Sequence, residues 1–122
     1  MSDTKATVYV AGPMRNYSYY NFPAFDSAKE FLESHGWTVL SPADMDREDG
    51  FDALEKDWPA DYDWGLIPDG FDFQACVTRD IEAVRKCDAI YMLEGWTKSK
   101  GAMAEYALAV WLGKQIIMQG IE

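Results

Sequence analysis

Thr7-Val8-Tyr9-Val10-Ala11-Gly12-Pro13 is a β-branched and aromatic run closed by two residues that interrupt regular structure. It reads as a buried strand running into a loop. After the tyrosine-rich loop Arg15 to Tyr20, Asn21 can cap a helix with Pro23 in its first turn, and Phe25, Ala28 and Leu32 mark one apolar face. His35-Gly36 ends that helix, Gly36 suiting the left-handed position beyond it. Trp37-Thr38-Val39-Leu40 is a second strand, stopped by Ser41-Pro42. Phe73, Val77, Ile81 and Val84 recur at helical spacing up to Cys87, and Asp88 to Leu93 reads as a third strand. Gly95 to Lys100 is a loop, Gly101 to Leu112 a helix and Gln115-Ile116-Ile117-Met118 the last strand.

This alternation predicts one α/β domain over residues 1–122. Its sheet is doubly wound, flavodoxin- or Rossmann-like, mostly parallel, with about four to five strands covered on both faces. Between 44 and 72, Gly50, Pro59, Gly65, Pro68 and Gly70 lie among acids and aromatics, so no long regular element fits there. That stretch reads as an acidic insertion or lid, or else as plain solvated loop. Ligands of such sheets bind beyond the carboxyl ends of the strands. Three loops therefore qualify, at 12–21, 41–72 and 94–101.

A length of 122 residues suits one domain, and 48% hydrophobic residues with five Trp, seven Tyr and six Phe exclude a disordered tail. The net charge of −10 argues against a nucleic-acid polymer as partner but permits a small ligand. No apolar stretch reaches the roughly 18 residues of a membrane span, and residues 1–7 lack the features of a secretory signal, so a cytoplasmic protein is expected. Cys76 and Cys87 share one helix about 16 Å apart, beyond disulfide reach, and read as reduced core thiols. With the lone His35 they form no zinc site, and no metal or cofactor is expected. The glycine signatures of dinucleotide folds and P-loops are missing.

Glu105 interrupts a helix that is apolar almost all round and is therefore expected to be buried. A buried carboxylate needs a reason. Placed near the helix start, it is expected to stay ionised, as suits a nucleophile; the alternative is a structural partner for Arg15 or Lys98. Thr97 to Ala102 offers Ser99, Gly101 and Ala102 with two lysines at a helix N-terminus, either a phosphate cradle or a capping loop with Ser99 as cap. Asp80 sits at the edge of the apolar stripe, facing the strand ends or solvent. Tyr9 needs a partner for its hydroxyl, or is simply core. Arg15, just beyond Gly12, is an anion-binding cation or an exposed one.

Val8 to Arg15, Asp80 ahead of Cys87-Asp88-Ala89-Ile90, and Ser99-x-Gly101-Ala102-x-Ala104-Glu105-Tyr106-x-x-Ala109 together resemble the nucleoside 2-deoxyribosyltransferase superfamily, which includes deoxynucleoside 5′-monophosphate N-glycosidases. The resemblance covers most of the chain outside the acidic middle. It implies that Glu105 attacks C1′ of the sugar and forms a glycosyl-enzyme intermediate, that Asp80 protonates the departing base or handles the acceptor, and that Tyr9 orients the nucleophile. In the monophosphate-hydrolysing branch the positions of Ser99 and Arg15 contact the 5′-phosphate, and Gly12, Gly101 and Ala102 complete the binding set. The implied chemistry is that of a retaining glycosidase. The implied partners are a small nucleotide and further copies of the chain, as a homodimer or larger assembly. Transfer between nucleosides, a non-catalytic nucleotide-binding module and an acidic mimic of nucleic acid are the competing readings.

Overall fold

The computed structural model describes residues 6–15, 17–55 and 72–120. Strands β1 (Thr7–Ala11), β2 (Thr38–Leu40), β3 (Ala89–Met92) and β4 (Gln115–Met118) form one sheet. Their order is β2-β1-β3-β4 and every neighbouring pair is parallel. The helices are α1 (Phe22–Ser34), α2 (Pro42–Glu48), α3 (Phe73–Lys86) and α4 (Lys100–Trp111).

The period of two along β1 explains the layering. Val8 and Val10 face Phe22, Phe25, Ala28 and Leu32 of α1 and Ala43 of α2. Tyr9 and Ala11 face Ala83 and Val84 of α3, Cys87, and Ala102 and Ala109 of α4. A strand buried on both faces has no polar side, hence the unbroken apolar run. The chain leaves β1 toward β2 on one side and later reaches β3 on the other, which places the topological switch point between β1 and β3. The doubly wound parallel α/β fold expected from the sequence is thus the fold found.

Five local expectations are corrected. Asn21 precedes α1 but makes no side-chain cap; its left-handed backbone (φ 62°) turns the amide back to donate to the Pro13 carbonyl at 2.8 Å. The acidic stretch is no plain solvated loop in its first part. α2 occupies its start, Ala43 and Asp46 are buried, and Arg47 bridges Asp26, Asp44 and Asp52. Residues 56–71, the rest of the insertion or lid, lie outside the described residues.

α3 is helical as expected, but Phe73, Val77 and Ile81 look outward. Its inner side carries the half-buried Cys76 and Asp80 and the buried Ala83 and Val84, so Cys76 is not a core thiol, whereas Cys87 is. α4 is not buried all round. Only Ala102 and Ala109 are buried, because small side chains allow the helix to sit close on the sheet, while Trp111 is 85% exposed and Val110 51%.

Candidate functional site

The strand ends at the switch point are held together by a missing side chain. The Leu93 N–H donates to the Ala11 carbonyl at 2.8 Å, and a Cβ on Gly12 would lie 2.7 Å from the Leu93 Cβ. Gly12 therefore serves close packing at the site's floor. Above it, Gly95 adopts φ +89°, and a Cβ there would meet the Tyr17 hydroxyl at 2.7 Å, so the loops after β1 and β3 also touch.

Tyr9 and Glu105 meet beside this floor. The fully buried Tyr9 donates its hydroxyl to Glu105 Oε2 at 2.6 Å. Burial pushes the Glu105 carboxyl up to about 8; the Tyr9 bond opposes that rise, and the nearby Asp80 charge adds to it. The expectation of an ionised Glu105 is thereby corrected. Glu105 lies in the second turn of α4, where the helix dipole has faded, and desolvation prevails. The Tyr9 hydroxyl is raised well above its usual range, first by burial and then by the Glu105 and Asp80 charges, so it stays a donor.

Asp80 joins the same group through α3. Arg79 Nε donates to its Oδ1 at 2.9 Å, and the Cys76 thiol lies 3.7 Å from its Oδ2. Burial raises the Asp80 carboxyl while the Arg79 charge opposes the rise. The Asp80 charge acts on both Glu105 and the Tyr9 hydroxyl, so the two carboxyls lie in one electrostatic neighbourhood with different immediate surroundings.

The remaining expected residues divide. The Ser99 Oγ accepts from the Ala102 N–H at 3.1 Å and the Ser99 carbonyl from the Met103 N–H at 2.9 Å, so Ser99 caps α4. The first-turn N–H groups of Lys100 and Gly101 have no intrahelical acceptor. Gly101 is exposed, and a Cβ there would meet nothing nearer than the Ser99 Oγ at 3.9 Å. Arg15 is exposed, with its guanidinium over the Phe73 ring at 5.3 Å, tying the loop after β1 to the start of α3. Among the described residues neither Arg15 nor Lys98 pairs with Glu105, which is held by Tyr9 instead.

Sequence reasoning missed Arg79 and Asp46. Asp46 is 3% exposed, and burial pushes its carboxyl to about 6 against the pull of Arg79. Their contact at 2.9 Å joins α2 to α3, and no local pattern marks it. Trp96 and Tyr106, stacked at 4.7 Å beside the same core, were also missed. Among the described residues no group of His, Cys, Asp and Glu is placed to hold a metal ion. No helix among them is long and apolar enough to cross a membrane.

Residues 6–118, from the first strand to the last, match the domain of unknown function DUF4406. The chain belongs to that family. The DUF4406 fold seen here resembles a 2-deoxyribosyltransferase from the psychrotolerant bacterium Bacillus psychrosaccharolyticus, with a TM-score of 0.59 and 21% identity over 93% of this chain and 71% of that one. It also resembles a 2-deoxyribosyltransferase from Leishmania mexicana, with a TM-score of 0.58 and 18% identity over 93% of this chain and 63% of that one. At such identities the likeness concerns the fold. No curated protein matches this DUF4406 sequence.

Proposed function

We propose that this DUF4406 chain is an enzyme that hydrolyses the N-glycosidic bond of a (deoxy)ribonucleoside 5′-monophosphate, with Glu105 as nucleophile. The observation that carries the reading is the 2.6 Å bond from the buried Tyr9 hydroxyl to Glu105 at the switch point of the sheet. A carboxylate so oriented, with the charge of a second carboxyl, Asp80, felt at it, suits displacement at an anomeric carbon.

In this reading a Glu105 oxygen bonds to C1′ as the C1′–N bond breaks, and the base leaves with that electron pair and a proton from Asp80. A water then attacks C1′, gives its proton to Asp80 and releases Glu105, yielding free base and sugar 5-phosphate. Tyr9 fixes the attacking carboxylate. The first-turn N–H groups of Lys100 and Gly101, which lack an intrahelical acceptor, and the helix dipole favour the 5′-phosphate, and Ser99, Ala102, Gly12 and Arg15 are assigned to its binding in this reading. Transfer of deoxyribose between nucleosides is the second reading, favoured by the fold shared with two deoxyribosyltransferases.

A homodimer or larger assembly belongs to the same reading. Its support is the outward apolar surface of Phe73, Val77 and Ile81 on α3 and Met103 and Val110 on the adjoining α4. The unpaired thiols Cys76 and Cys87 support a cytoplasmic setting. Sedimentation of the purified chain tests the assembly.

The deciding assay incubates the protein with nucleosides and their 5′-monophosphates and follows free base by chromatography. Release from monophosphates alone supports hydrolysis with a phosphate site. Release from nucleosides only when an acceptor base is added shifts the reading to transfer, and no release from any member removes the enzyme reading.

A further inference from the structure

We propose that Arg79 is the positioning residue for the Asp80 carboxyl and that Asp46 holds Arg79 in turn, so that α2 governs the acid beside Glu105. The inference rests on the reading of Asp80 as the acid of the reaction. Neighbouring residues on a helix project about 100° apart and do not ordinarily face each other. Arg79 nevertheless folds back over Asp80, bringing Nε to 2.9 Å and Nη2 to 2.8 Å of the one oxygen Oδ1. A simple tie between α2 and α3 needs only the Asp46 contact at 2.9 Å and gains nothing from this second grip. The grip takes Oδ1 and, among the described residues, leaves Oδ2 with the weak thiol contact from Cys76.

The same guanidinium is shared. Asp46 is almost fully buried and needs a cation, and among the described residues Arg79 reaches it. Asp49 takes Nη1 at 3.0 Å but is mostly exposed and screened by solvent. The groups around Asp80 are therefore Arg79 and Cys76 on its own helix, Asp46 and Asp49 on α2, Glu105 on α4 and Tyr9 on β1. Asp46 competes with Asp80 for one positive charge. Removing the Asp46 charge leaves Asp80 as the one half-buried carboxylate on Arg79 among the described residues, with the mostly exposed Asp49 at its other end, whereas removing Arg79 leaves Asp80 withdrawn from water among other carboxylates.

The test is the titration of the Asp80 side-chain carbon by NMR in the wild type, Arg79→Gln and Asp46→Asn, beside the pH dependence of base release. The Asp80 midpoint is expected to rise by about 1 to 3 pH units in Arg79→Gln and to fall in Asp46→Asn. The Asp80-dependent limb of the kcat profile should move in the same two directions. Opposite movements separate control of charge from loss of fold, which would not reverse sign. Should Arg79→Gln not fold, Arg79→Lys keeps the charge without the fork: the midpoint should stay near that of the wild type while kcat falls and KM holds. A midpoint unmoved in Arg79→Gln, or moved the same way by both substitutions, overturns the inference. If the wild type releases no base, the functional reading fails, and the NMR titration alone decides whether Arg79 and Asp46 govern Asp80.

Discussion

The Tyr9 hydroxyl and Glu105 Oε2, 2.6 Å apart, join the middle of β1 to the second turn of α4 at the sheet's switch point. Tyr9 is wholly buried and its carboxyl partner is lifted toward neutrality, so each group sets the state of the other. Tyr9→Phe keeps the ring and removes only the donor. It should cost about 0.5–1.5 kcal/mol in denaturant unfolding. Because the bond lowers the Glu105 midpoint, its loss should shift the rise of activity to higher pH. A Tyr9→Phe profile that overlays the wild-type profile would show that the hydroxyl serves packing alone.

Glu105 also makes opposite predictions for activity and stability. An ionised nucleophile is required, so kcat/KM should climb as pH rises through about 8. The folded midpoint lies above the unfolded one, so the proton-bound form favours the fold. That contribution is complete below the unfolded midpoint and is lost as pH rises toward and through about 8. Glu105→Gln, which cannot ionise, should therefore raise the melting temperature above that of the wild type most at alkaline pH. An equal difference at pH 5 and pH 9 would contradict the burial account.

Ser99 offers a way to separate capping from phosphate binding. Ser99→Ala removes the acceptor of the Ala102 N–H and should cost about 0.5–2 kcal/mol. Ser99→Asp keeps a cap of equal quality but adds a negative charge beside the first-turn N–H groups. Its stability should match the wild type while KM for monophosphates rises and any turnover of free nucleosides is spared. An unchanged monophosphate KM in Ser99→Asp would move the phosphate elsewhere.

Gly12→Ala places a methyl group 2.7 Å from the Leu93 Cβ, close to two parallel strand ends that cannot easily part. Overpacking of this kind should cost about 1–3 kcal/mol. Leu93→Ala in the same chain should recover part of that loss, measured by denaturant midpoints, although it removes core volume. If Gly12→Ala unfolds at the wild-type midpoint, the close approach is not a constraint.

What the sequence disclosed, and what it hid, follows from where each residue finds its partner. β1 was legible because burial on both faces makes the whole run apolar, and Glu105 because a lone acid among apolar residues contradicts its surroundings. The turn at Gly36 was legible because its φ of +90° favours glycine. α3 and α4 were helical as expected, but Phe73, Val77 and Ile81 of α3 look out and α4 is buried on one side alone, since small side chains such as Ala83, Ala102 and Ala109 line the sheet. Asp46 and Arg79 were hidden because each satisfies the other across more than thirty residues, in an acidic stretch that locally resembles solvated loop. The ionisation of Glu105 was misjudged because the helix dipole was set above desolvation, whereas Glu105 lies a turn beyond the dipole's reach.

The most direct test of Glu105 as nucleophile is mass spectrometry of the protein quenched during turnover of a 5′-monophosphate bearing fluorine at C2′, which slows breakdown of a glycosyl-enzyme. A sugar-phosphate mass on the peptide that contains Glu105, absent in Glu105→Ala, is the predicted result. Release of base with no adduct, and with turnover undiminished in Glu105→Ala, would contradict the account.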